Sequence, residues 1–383
     1  MPFIEPFLLE RFFAKHEFTA KYLLCASDCE ALSLRELLDL EPGSAEGLDD
    51  LGLGYRESRG DPALRRDIAA LYSAENAIGS EDILVHAGAE EAILNFCLAS
   101  IGTGDHVVVN EPCYQSLAEI PRSLGAAASS WPLRVAEGRW FLDPDELSRL
   151  LRPKTKAVII NLPHNPTGAL STLSEFEAIV ALCRKAGALL FVDEVYRHLE
   201  REPERRLPAV CDFYEDGVSL NVLSKSAGLA GLRIGWLATR RSDILDAVAL
   251  VKDYNSICSA APSEFLAGIA VRNFEHLTGR NRALCSENLL ILEAFFSAHP
   301  GFAGWTSPAG GSIGFPHLGP GEAREFGSDA EAMALRLLAD TGVLLLPGAY
   351  YHHDASYFRI GYGRKSMPEA LARLEKWVLA RGW

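Results

Sequence analysis

Between about residues 55 and 260 the chain alternates short apolar runs with longer segments of helical period, and nothing else in the sequence restricts the fold as much. The runs are HVVVN (106–110), AVIIN (157–161), ALLFVDE (188–194), SLNVL (219–223) and WLAT (236–239). Their length and near-continuous apolar character suit strands covered on both faces. The intervening segments 90–100, 144–151 and 172–186 have the length and apolar stripe of helices. Strand and helix in alternation predict an α/β fold with a mostly parallel sheet.

Past AAPSE (260–264) the texture changes to long helical segments near 282–299 and 328–341. Short strands SIGF, GVLLLP and YFRIGYG lie among them, and MPEALARLEKWVLARGW closes the chain with helical period. This predicts a smaller α+β domain, and 383 residues exceed the roughly 250–300 at which one core stops growing. We expect an N-terminal helix and arm (1–50) that joins the small domain and reaches the substrate, a large domain (51–265) and a small C-terminal domain (266–383).

With 37 Lys and Arg against 51 Asp and Glu, the net charge of -14 opposes tracking along nucleic acid or an anionic membrane. Small-molecule chemistry is therefore expected, and an anionic ligand needs a local cluster of cations. MPFIEPFLLERFFAKHE reads as an amphipathic helix rather than a signal peptide, and no run approaches a membrane span, so the expected location is the cytoplasm. Eight cysteines without C-x-x-C pairs read as reduced, buried thiols. YYHHD (350–354), a few residues before the arginine of YFRIGYG, reads as a surface loop or as the mouth of a site; its two adjacent histidines lack a spaced third ligand, so no metal site is expected.

Lys225, in SLNVLSKSAGLAGLRIGW (219–236), sits in apolar surroundings that disfavour an ammonium and make its amine a usable nucleophile. Gly88 in LVHAGAEEAILNF precedes a helix whose first amides can hold a phosphate. NLPHNPTG (161–168) holds Asn165 between two prolines. FVDEVY sets Asp193 at the end of a strand, where open α/β sheets bind ligands; Glu194, its neighbour, must face the other way.

In order and spacing these features resemble the fold-type I pyridoxal-phosphate aminotransferases of class I/II, and the likeness runs from Tyr55 to the C-terminus. HNPTG and SKSAGLAGLRIGW are similar to that family's two signatures. The resemblance implies a mostly parallel seven-stranded sheet in the large domain, pyridoxal 5'-phosphate as cofactor, and Lys225 as the Schiff-base lysine. Asp193 would keep the pyridine nitrogen protonated. Asn165 and Tyr196 would bond the ring's phenolic oxygen, and Tyr114 would stack on its face. The phosphate would be held at the Gly88 turn by the Ala89 and Glu90 amides, Ser224 and Arg233, with Tyr55 reaching the phosphate of a neighbouring subunit. The resemblance thus implies a homodimer with shared sites. Arg359 would bind the substrate α-carboxylate through its fork, with Asn165 beside it. The implied reaction is ping-pong transfer of an amino group from an L-α-amino acid to a 2-oxo acid.

Two departures stand out. Val222 occupies the first serine position of the family's Ser-x-Ser-Lys, so one phosphate contact is lost or replaced. LLCASDCEALSLREL (23–37) replaces a glycine-bearing loop that lies over the substrate in the family. Asp28 and Glu30 can there meet a cationic side chain, or simply cap the helix that follows. That loop, with the two signatures, is similar to a branch containing capreomycidine synthases, which eliminate water from a hydroxylated arginine and cyclise it. A regulatory protein on the same fold is the rival outside enzymology; the complete set of residues around Lys225 and Asp193 speaks against it.

Overall fold

A computed structural model describes residues 4–73, 78–321 and 325–382 of the chain. Seven strands form the main sheet: β1 (Ile83–His86), β2 (His106–Glu111), β3 (Ala127–Pro132), β4 (Thr155–Asn161), β5 (Leu189–Asp193), β6 (Gly217–Val222) and β7 (Gly235–Ala238). Their spatial order is β1-β7-β6-β5-β4-β2-β3, and only β7 runs antiparallel to its neighbours. The sequence reading foresaw five of these strands and the end of β1. The edge strand β3, AASSWP, is only part-buried apart from Trp131 and lacks an apolar run, so it gave no signal.

Successive strand residues point to opposite faces, and the two faces bury separate cores. Val107, Val109, Phe191 and Leu220 pack on one side with Phe96. Val108, Val158, Ile160, Leu190 and Val192 pack on the other with Phe176 and Ile179. Phe96 belongs to α1 (Ala89–Ser100) and the second pair to α2 (Leu173–Ala186), so each helix covers one face. The capping box of Thr172 and Glu175 starts α2, and Gly187 in the left-handed region ends it.

The C-terminal portion contains α3 (Phe274–Ala298), α4 (Ala330–Thr341) and α5 (Met367–Leu379), with a three-stranded antiparallel sheet of Ile313–Gly314, Phe358–Gly361 and Leu346–Pro347. The N-terminal arm is woven into it: Tyr22–Leu23 pairs in parallel with Val343–Leu344. Beyond that pairing, the Gly361 amide donates to the Leu24 carbonyl and the Glu30 amide to the Gly363 carbonyl. A Cβ at Gly361 would stand 2.0 Å from the Ala26 oxygen, and one at Gly363 2.5 Å from the Asp28 oxygen. The two glycines of RIGYG are therefore the reason that residues 24–30 lie flat against Phe358–Gly361.

The N-terminal helix spans Leu8–His16 and buries Leu9 and Phe12. Gln115 fixes its start, accepting from the Leu8 amide and donating to the Pro6 carbonyl. All eight cysteines are free and seven are buried. No helix among the described residues is long and apolar enough to cross a membrane.

Candidate active site

Strands β1, β4, β5 and β6 end around one cavity of about 370 Å³, at the carboxyl edge of the sheet. Its floor comes from the sheet, and its roof from the N-terminal arm and from Arg359. The structure brings together Ala89, Glu90, Tyr114, Asn165, Asp193, Tyr196, Ser224, Lys225, Arg233, Arg359 and Asp28 as lining residues.

Asp193 ends β5 and is buried, and burial raises its carboxyl to about 7; the Val195 amide and nearby Lys225 pull the other way. Glu194 indeed faces away, bonded to the Val210 amide and Ser219 hydroxyl. Lys225 Nζ donates to Ser27 Oγ at 2.9 Å. Loss of solvent lowers its pKa, with Asp28 and Asp193 opposing and Arg359 reinforcing the shift. The Tyr196 hydroxyl donates to the Ser27 carbonyl at 3.0 Å. Tyr114 donates to Glu10 at 3.1 Å and meets the edge of Phe7.

The asparagine turn is pinned from beneath. His164 donates from Nε2 to the Pro112 carbonyl at 2.7 Å; burial depresses its pKa to about 3, so the neutral ring accepts from Thr167 at Nδ1. Asn161, at the end of β4, accepts from the Asn165 amide at 2.6 Å and donates to the Asp193 carbonyl at 2.8 Å. Both prolines of the turn follow cis peptide bonds.

Gly88 caps α1 with φ at +93°, and a Cβ there would lie 2.7 Å from Arg233 Nη2. Arg233 itself holds a left-handed φ of +53°, uncommon for a side chain of its size. Glycine at one position and a strained backbone at the other thus let a guanidinium lie across a helix start, whose first amides have no partner within the helix. Val222 lines the same region and offers no hydrogen bond from its side chain.

Arg359 is only 2% exposed, and no carboxylate among the described residues pairs with it. Its Nε donates to the Cys25 carbonyl at 3.0 Å, and Nη1 donates to the Tyr351 hydroxyl and to Asn165 Oδ1. A buried cation without an acid is costly, and an anion brought by a ligand removes that cost.

One sequence expectation lands elsewhere, and two others need detail. Glu30 does not line the cavity: its carboxylate accepts from the Lys365 amide. Asp28 does line it but is held by Arg364 in a two-pronged ion pair at 2.8 and 2.9 Å. Neither caps the following helix, which starts on a Ser33–Glu36 capping box. Tyr55 is 91% exposed and away from its own chain's cavity. Of YYHHD, Tyr351 joins the site through Arg359, while His353 packs on Phe315 and Tyr357. Ser27, Asn161, Glu17 and Arg364 were not foreseen; Arg364, close behind Arg359 in the sequence, offered a hint, and Tyr351 belongs to the YYHHD stretch read as a mouth of the site or a surface loop.

The family model for aminotransferases of class I and II matches residues 22–374. The chain belongs to this family. It is 30% identical to the capreomycidine synthase of Streptomyces vinaceus over 97% of this chain and 92% of that one. A crystal structure of a PLP-dependent aminotransferase from Streptococcus suis superposes with a TM-score of 0.90 at 32% identity, covering 99% of this chain and 98% of that one. The structure of a PLP-dependent cyclase, OrfR, gives 0.90 at 31% identity, covering 98% of each. The fold is that of the fold-type I enzymes and the cofactor is pyridoxal 5'-phosphate. The cavity fits that group: a cradle at Gly88 and Arg233 for a dianion, a buried carboxyl at Asp193 for a ring nitrogen, and the Lys225 amine between them.

Proposed function

We propose that this enzyme transfers the amino group of an L-α-amino acid to a 2-oxo acid in a ping-pong cycle, with Lys225 as the covalent lysine and the acid–base group. The observation that carries this reading is Arg359, a buried guanidinium with no carboxylate partner among the described residues, facing the same cavity as Lys225. Its free donors suit the α-carboxylate of an amino acid, which sets the α-carbon toward Lys225. Bound pyridoxal phosphate supplies the electron sink that makes the α-proton acidic. Asp193 fixes a proton on the ring nitrogen, and Asn165 and Tyr196 serve the ring's phenolic oxygen. The Ala89 and Glu90 amides, Ser224 and Arg233 hold the phosphate. Lys225 takes the α-proton as base and delivers it again as acid, with Ser27 Oγ within hydrogen-bond reach of its nitrogen.

The second reading is elimination and cyclisation on an arginine-derived substrate. It is supported by the arm residues 25–28, which supply Ser27 and Asp28 to the cavity, and by Glu17, which lines the cavity with no ion-pair partner among the described residues. The end-to-end likeness to a capreomycidine synthase adds to it. Titrating the enzyme with single amino acids, arginine and 4-hydroxyarginine among them, without acceptor separates the two. Loss of the visible cofactor band with release of a 2-oxo acid marks amino transfer, and a cyclised product without net transfer marks the second reading.

We further propose a homodimer in cytoplasmic solution, in which Tyr55 serves the partner's phosphate site. Supporting this, Tyr55 is exposed together with Leu53 and Tyr254, at 80% and 96% for the latter two.

A further inference from the structure

Tyr351 is buried and is not itself a lining residue of the cavity, yet its hydroxyl joins two residues that are. It donates to Asn165 Oδ1 at 2.8 Å and accepts from Arg359 Nη1. Arg359 Nη1 also reaches Asn165 Oδ1 at 3.4 Å. The amide oxygen of Asn165 is thereby occupied by two donors, so the amide must present its NH₂ end to the cavity. The Arg359 fork is held by the Cys25 carbonyl at one end and by the Tyr351 oxygen at the other. Phe315 meets the Tyr351 ring edge-on, fixing where the hydroxyl sits.

We propose that Tyr351 is a positioning residue: its hydroxyl couples occupation of Arg359 by a carboxylate to the orientation of Asn165 against the cofactor ring. The coupling rests on the reading of Arg359 as the carboxylate site and is independent of which reaction follows. A carboxylate that pulls Arg359 Nη1 toward itself draws it away from Asn165 Oδ1, the acceptor it shares with the Tyr351 hydroxyl. The hydroxyl then tightens on Asn165, and the NH₂ end of that amide is fixed more firmly. By reciprocity a bound cofactor strengthens carboxylate binding by the same factor.

The test uses hexanoate, a carboxylate that cannot react, and reads binding rather than turnover. Hexanoate affinity is measured by calorimetry on the enzyme with and without pyridoxal phosphate, and the shift of the bound cofactor's absorption maximum on adding hexanoate is recorded. In Tyr351→Phe, which keeps the ring and its packing, hexanoate should bind about fivefold more weakly, the size of one lost hydrogen bond. The affinity ratio between loaded and empty enzyme should fall toward one, and the spectral shift should shrink to less than half. An unchanged ratio and an undiminished spectral shift in a variant that melts like the parent would overturn the coupling. Arg359→Lys separates the premise from the inference: if it binds hexanoate as the parent does, the carboxylate site is elsewhere and the proposal falls with it.

Discussion

Lys225 and Asp193 are a cation and an acid whose surroundings push each toward its neutral form, the first by loss of solvent and the second by burial that lifts it to about 7. Two consequences can be measured. Lys225→Ala should lose at least about 10⁴-fold in turnover and all of the visible band, while pyridoxal phosphate is still retained by its phosphate contacts; retained multiple turnovers would remove Lys225 from the chemistry. For Asp193 the sign is set by a native pKa raised above the ordinary value of 3.8. Between those two values the native state binds more protons than the unfolded one, so the stability that Asp193 contributes at low pH is lost as pH rises toward 7. In denaturant unfolding of cofactor-free protein, the stability of the parent relative to Asp193→Asn should therefore fall from about pH 4 to 7, while buried His164, depressed to about 3, pulls both proteins the other way. Glu194, also raised to about 7 by burial, leaves a residual slope in that variant.

At the scale of elements, the site is made where strand ends meet helix starts and turns. The β1–α1 junction shows how little freedom there is: Gly88 carries a positive φ and leaves room for Arg233. Gly88→Ala should push the guanidinium off the helix start and weaken pyridoxal phosphate binding by tenfold or more, with only a modest loss of melting temperature, since neither group belongs to the core. Equilibrium dialysis of the variant checks this, and a cofactor affinity within twofold of the parent would show that the phosphate rests elsewhere. The arm is the opposite case. Residues 24–30 carry no strong local preference, and their place is dictated by Gly361 and Gly363, which lie some 330 residues along the chain.

For the whole molecule, Leu53, Tyr55 and Tyr254 are among the large apolar side chains left exposed on the monomer. If Tyr55 serves a partner's site, mixing Lys225→Ala subunits with Tyr55→Ala subunits should restore activity above that of either variant alone. One of the two sites in such a hybrid then has both an intact Lys225 and an intact Tyr55. Sedimentation should show a dimer, and a monomer at micromolar concentration would sink the shared-site arrangement.

Much of this was open to reading without coordinates. The buried strands announced themselves because a strand covered on both faces must be apolar throughout, and Asp193, Asn165 and Lys225, which stand at the ends of those strands, took their expected roles from the resemblance to the aminotransferase family. Opposite facing of Asp193 and Glu194 follows from the pleat alone. Residues placed by contacts between distant parts of the chain were not legible. Asp28 looked free to meet a substrate until Arg364 took it, Glu30 turned to a backbone amide, and Ser27 reached Lys225 only because two glycines let the arm lie flat. The sequence alone determined the apolar strands, which follow from local periodicity, and the chemistry at their ends was implied by the resemblance to the aminotransferase family. The tertiary structure alone decided which charges are already paired, because ion pairing depends on distances between segments that no local pattern encodes.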